Sequence, residues 1–229
     1  MTKQQAILAA HNNADWYCTM FDLHELQYAR TDVAFLSNDT PPNFHSWMTT
    51  LAPQEKKAQR LLIKQNAYRD SFVVKDSFDS LDLAEEGFAE YFSASWIFAD
   101  SIQEIDTAGW VRIESVKKLL LWEAAWKQGG SPSDRRQFPD SILDHPEISI
   151  WGRNMSNGID AGVIANTSEN CVGLSNCFGE NAYPAAATVC ARVAERELPV
   201  VGYERGEDLR AALNSGFNIS GKLSVWARP

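Results

Sequence analysis

Residues 162–204 read GVIANTSENCVGLSNCFGENAYPAAATVCARVAERELPVVGYE. Val163, Ile164, Val172 and Leu174 are apolar and β-prone, and Asn166 to Asn170 supply a turn between the two runs. Pro184 suits the first position of a helix. Ala186, Val189, Cys190, Val193 and Ala194 then fall at i, i+3, i+4, i+7 and i+8, one helical face. Pro199 stops that helix, and Val200-Val201-Gly202-Tyr203-Glu204 reads as a buried strand. The stretch is therefore a β-hairpin feeding a βαβ crossover. Its functional junction lies at 178–184, where free backbone N–H groups meet a helix N-terminus, a natural seat for a phosphate.

The 229 residues suffice for one large domain or two small ones. Hydrophobic content is 45% with eight Trp, enough for a substantial core, and no apolar run reaches the ~18 residues of a membrane span. The N-terminus lacks a signal-peptide pattern. A soluble cytoplasmic protein is expected, with no membrane partner. The net charge of −9, without a Lys/Arg stripe, argues against nucleic acid and is compatible with a cationic amine substrate. The cysteines at 18, 171, 177 and 190 contain no CxxC, so no metal is expected. On one strand, Cys171 and Cys177 would lie about 20 Å apart, beyond any disulfide.

Outward from the central stretch, Thr2 and Gln5 suggest a capping box for a helix over 3–14. Residues 15–36 carry no clear period. Strands are expected at 45–51, 72–75 and 93–99, a helix from Pro53, and a short helix at 81–86 stopped by Gly87. Past 100–110, the expected boundary between domains 1–105 and 106–229, a strand at 111–114 leads to a Leu/Trp-rich helix at 115–128. Strands at 148–153, 159–166 and 171–178 follow, and a helix at 207–216 precedes a last strand at 217–228. An internal echo joins Phe72-Val73-Val74, Gly87-Phe88 and Ser95-Trp96 to Pro199-Val200-Val201, Gly216-Phe217 and Val225-Trp226. It reads as a duplication, with shared α/β grammar as the alternative.

The order from 106 to 229, with the tail LPVVGYERGEDLRAALNSGFNISGKLSVWARP (198–229), resembles the GNAT superfamily of acyl-CoA-dependent N-acetyltransferases. The first half resembles a degenerate, partial copy, as in tandem GNAT proteins. The resemblance implies an α/β (α+β) fold, with a mixed, mostly antiparallel central sheet flanked by helices. It implies acetyl-CoA as cosubstrate, entering where two strands splay apart. The diphosphate loop of the family, Gln/Arg-x-x-Gly-x-Gly/Ala, matches 176–183 only in part. Asn176 stands at the Gln/Arg position, Gly179 is the one glycine, Ala182 falls one residue late, and Glu180 brings a carboxylate. By resemblance, Val172, Leu174, Asn176, Phe178, Gly179, Glu180, Asn181, Ala182 and Tyr183 are the cofactor-binding candidates.

Amide formation from a thioester needs a neutral amine, a stabilised oxyanion and a proton for the leaving thiolate. Backbone N–H groups of 172–175 could polarise the carbonyl if a bulge frees them. Tyr203 is the candidate acid and Glu204 the candidate base or amine ligand, with Tyr183 as a second acid. A structural role for each stays open, as does a GNAT-like module that binds without catalysing. The acceptor is a small-molecule or protein amine, and a homodimer is compatible. Gly216–Lys222 lacks the Ser/Thr and the helix of a P-loop, and every His precedes Ser175, against the hydrolase order. Trp122 and Trp126 read as core.

Overall fold

Nothing in the first 23 residues breaks a helix: neither Gly nor Pro occurs there. Trp16 and Met20, like Tyr17 and Phe21, lie four apart and are buried. Packing of these pairs carries the helix (α1, Thr2–Leu23) nine residues past the expected end at 14. The computed structural model describes residues 2–155, 158–195 and 197–228. Its chain divides into two units, Met1–Trp96 with Ile219–Pro229, and Ile97–Asn218. The division falls inside a strand and returns the last strand to the first unit, which a single linear boundary at 105/106 does not express.

In the first unit α1 is followed by β1 (Tyr28–Arg30), β2 (Ala34–Ser37), β3 (Met48–Thr50), α2 (Lys56–Asn66), β4 (Val73–Asp76) and the start of β5 (Ala89–Ala99). β3 and β4 are parallel, with Met48 opposite Val74, and α2 crosses between them. The last strand of the chain, β11 (Asn218–Ala227), pairs antiparallel with β4. Met48, Ile63, Phe72, Val74, Leu83 and Phe88 form the core. α2 starts at Lys56 rather than Pro53, because Glu55 N–H closes a turn on Ala52 O first.

The helix expected at 81–86 is a 3₁₀ turn at Ala84–Glu86. Asp76 is the reason. Its carboxylate accepts the backbone N–H groups of Phe78 (3.2 Å), Ser80 (2.5 Å) and Leu81 (2.6 Å) and the Thr50 hydroxyl (3.3 Å). That holds the chain in a loop where a helix would begin. Burial nonetheless keeps the carboxyl above its usual range. Asp76→Ala strands these buried donors, and a loss of about 2–4 kcal/mol is expected in urea unfolding.

The second unit contains β6 (Trp110–Arg112), α3 (Val116–Gln128), β7 (Ile148–Met155), β8 (Gly158–Ser168), β9 (Cys171–Phe178), α4 (Tyr183–Val193), β10 (Val200–Glu204) and α5 (Gly206–Asn214). The strands lie in the order β10-β9-β8-β7-β6, with the tail of β5 beside β10. β6 to β9 are antiparallel neighbours, and β10 joins β9 in parallel across α4. One core lies between α4 and the sheet, built from Val172, Leu174, Ala186, Val189, Cys190 and Val200 among others. Trp122 and Trp126 are buried, as their helix spacing implied. Both units thus repeat strand, crossover helix, parallel strand, the grammar suggested by the internal echo. Among the described residues no helix is long and apolar enough to cross a membrane, and none of the four cysteines is in a disulfide.

Candidate active site

β9 has two unlike edges. Against β8, Ser175 faces Ile164 and Phe178 faces Gly162. Three steps on β9 therefore match two on β8, a bulge of one residue, and Asn176 takes the left-handed conformation there (φ 53°). Against β10 the pairing is short. Val172 faces Val200 and Gly173 faces Val201, and the paired register ends there. β9 runs on to Phe178 and β10 to Glu204. Just past the last pair, a Cβ on Gly202 would lie 2.9 Å from Leu174 O. Glycine lets the backbones touch at the point where pairing stops.

The expected cofactor residues divide into core and loop. The Val172 and Leu174 side chains are buried against α4. Val172 N–H is already bonded to Pro199 O at 3.0 Å, so it is not a free donor as 172–175 had been expected to supply. The bulge falls instead at 176–177. Asn176 Nδ2 donates to Ser175 Oγ at 3.4 Å, folded back on its own strand. Phe178 turns inward, edge-on to Trp122 at 5.1 Å. Gly179 is required twice over: its φ is +107°, and a Cβ would meet Ala161 Cβ at 2.4 Å.

Glu180 and Asn181 are exposed, and Asn181 also has a positive φ of 53°. Ala182 N–H turns back to Gly179 O at 3.3 Å, and Ala182 precedes α4 with Pro184 in the first turn. The N–H groups of Glu180, Asn181 and Tyr183 have no backbone acceptor among the described residues. They surround the positive end of the α4 dipole. Arg153 of β7, held by Asp160 at 2.8 and 3.0 Å, reaches Glu180 O at 3.4 Å. This cation beside the loop had no signal in the local sequence.

Glu204 meets Tyr183 across the open end of β9 and β10. Tyr183 Oη donates to Glu204 Oε1 at 3.2 Å. Burial, with the nearby Asp208 carboxylate, pushes the Glu204 carboxyl up to about 8, and the Tyr183 hydrogen bond partly offsets this. Burial first, and then the Glu204 carboxylate, hold the Tyr183 phenol well above its ordinary value, hence protonated. The Cys177 thiol is raised as well, by burial first and then by Glu204, Cys190 and Asp208. Cys177 and Asp208 are members of this group that sequence reasoning missed, although Asp208 was legible as a first-turn acid of α5. Tyr203, half-buried, lies on the other face of β10, because neighbouring residues of a strand point apart. The arrangement supplies a protonated phenol beside a carboxyl that ionises near neutrality.

No family model and no curated protein sequence matches the chain. Solved structures do. A GCN5-related N-acetyltransferase from Kribbella flavida aligns over 98% of this chain and 95% of its own, with TM-score 0.61 and 11% identity. An acetyltransferase of the GNAT family from Novosphingobium aromaticivorans covers 90% and 92%, with TM-score 0.57 and 13% identity. An N-myristoyltransferase from Saccharomyces cerevisiae, solved with bound myristoyl-CoA, covers 91% of this chain and 69% of its own at TM-score 0.56 and 10% identity.

Proposed function

We propose that this chain, which has the fold of the GCN5-related N-acetyltransferases, is an acyltransferase. It moves an acyl group, acetyl in the first instance, from acyl-CoA to a primary amine of a small molecule or protein. The observation that carries this reading is the early end of β9–β10 pairing at Gly173 and Val201, with Glu204 and Tyr183 joined just beyond it. The residues suit the cosubstrate. Three backbone donors stand at the α4 N-terminus, and Arg153, paired with Asp160, donates to the Glu180 carbonyl beside them. Glu180, Asn181 and Tyr183 would hold the diphosphate through their N–H groups, while Gly179 and Ala182 shape the turn. Val172 and Leu174 anchor β9 against α4 from the core, and Asn176 shapes the bulge.

Acyl-CoA supplies an activated thioester carbonyl and a thiol leaving group. Glu204 Oε2 takes the proton of the acceptor ammonium, a task suited to a carboxyl that titrates near 8. Tyr183 Oη keeps its proton and stands beside Glu204 as the acid. In this reading Tyr183 takes the role that a place at the end of the flanking strand suggested for Tyr203. Tyr183→Phe should lower turnover by about 10–100-fold, followed as thiol release from acetyl-CoA with a primary amine. Losing the bond that lowers the Glu204 pKa should also shift the pH profile to higher pH. Tyr203→Phe should change the rate by less than about threefold; the reverse ranking returns the acid role to Tyr203.

Calorimetry with acetyl-CoA and with free CoA tests the reading. Saturable binding of both is expected, and no heat at about 1 mM ligand overturns it. Binding without thiol release across a panel of primary amines points instead to a module that holds the carrier and does not catalyse.

A further inference from the structure

α3 buries Leu119, Trp122 and Trp126 on one face, yet leaves Val116, Leu120 and Leu121 between 41% and 49% exposed. Beside that apolar flank lies a cavity of about 290 Å³. Val111 and Ile113, from β6 and its continuation, form one wall; Leu121 of α3 and Ile159 of β8 form others. Lys117 and Lys118 line its rim, and Lys117 lies four residues before Leu121, on the same side of the helix. Neither ammonium pairs with a carboxylate among the described residues, in a chain of net charge −9. Ser115 Oγ is committed to capping the Lys118 N–H at 3.4 Å, so it shapes the helix start rather than answering the lysines.

We propose that this cleft between α3 and β6 binds an amphiphilic carboxylate, its apolar body against Val111, Ile113, Leu121 and Ile159 and its carboxylate at Lys117 and Lys118. The charge selects the class. A cationic amphiphile meets two like charges, and a symmetric second copy would set lysines against lysines. The size selects the scale. At roughly 30 Å³ per water-sized unit, the cavity takes on the order of ten heavy atoms, a medium-chain acid rather than a long one. None of these residues belongs to the Glu204–Tyr183 group or to the 178–184 loop, so the proposal stands apart from acyl transfer.

The test uses the full chain, labelled with ¹⁵N, titrated with octanoate, 1-octanol and octylamine. Octanoate is expected to bind saturably at one site and to shift the amides of 111–121 and 158–159. Octanol should bind there at least tenfold more weakly, and octylamine should leave the amides of 111–121 and 158–159 unshifted. Lys117→Glu with Lys118→Glu, both exposed and outside the core, should keep the unfolding midpoint and weaken octanoate at least tenfold. Leu121→Arg should block the apolar wall and abolish the same shifts. The proposal is overturned by octanoate that does not saturate, by shifts elsewhere in the chain, or by affinity that ignores the charge reversal.

Discussion

Glu204→Gln is expected to lower kcat/KM for acyl transfer by about 10²–10³-fold and to remove the ionisation near pH 8 from the pH profile. Glutamine keeps the size of the side chain and can still accept from Tyr183 Oη, but it cannot take a proton. In the unaltered chain the carboxyl is driven up to about 8, first by burial and then by Asp208. Activity should therefore climb tenfold per pH unit below 8 and level above it, until the acceptor amine contributes its own limb. Stability should run the other way. Glu204 in the unfolded chain titrates near 4.5, and in the fold near 8. Between those values the folded state holds the extra proton, so folding stability falls as pH rises through that window. Glu204→Gln removes the fall. The variant should gain about 2 kcal/mol over the unaltered chain at pH 9 and nothing below pH 4, a figure kept small because the residue is only partly buried. Urea melts at both pH values check the stability, and thiol release checks the rate. A variant less active and also less stable at pH 9 would mean that Glu204 serves as a structural anchor.

A large stability loss is expected at Gly162. A Cβ there would lie 2.2 Å from Trp122 Nε1 and 2.7 Å from Phe178 Cε1. Neither ring can yield cheaply. Trp122 Nε1 donates to Trp151 O at 2.8 Å, and Trp122 and Phe178 also pack edge-on to each other. Gly162→Val should cost about 3–5 kcal/mol through overpacking and a broken indole hydrogen bond. Gly130→Ala is the contrast. Its φ is +121° but no atom lies within 4 Å of the added Cβ, so only backbone strain of about 1 kcal/mol is expected. Equal losses at the two sites would contradict the packing account. Gly179 combines both penalties, so a bulky residue there reports on folding before it reports on any ligand.

The elements around the candidate site were legible where a single period spoke for them. Pro184 and the spacing of Ala186, Val189, Cys190, Val193 and Ala194 placed α4; of the spaced residues only Val193 is not fully buried, and Tyr183, Ala185, Ala187 and Thr188 are buried beside them. The turn between β8 and β9 was equally local, whereas α4 ends at Val193, ahead of the expected stop at Pro199. What escaped depends on residues far apart in the chain. The Tyr183–Glu204 bond spans 21 positions, and Arg153 reaches a carbonyl 27 positions on. No spacing rule connects such pairs. The assignment of β11 to the first unit is likewise a matter of pairing with β4, which the composition of β11 does not encode. Alternation along β10 could have been applied earlier. It separates Tyr203 from Glu204, and with Val200 packed against the α4 side it sends Glu204 to Tyr183.

Hydrogen exchange of the full chain, with and without acetyl-CoA, bears on the opening between β9 and β10 most directly. Slower exchange is expected at the amides of 174–178 that face β10 and at Glu180, Asn181 and Tyr183, with α1 and α2 unchanged. Amides of 174–178 facing β10 that are already fully protected without the ligand, or that ignore it at saturating concentration, would contradict an acyl-carrier site there.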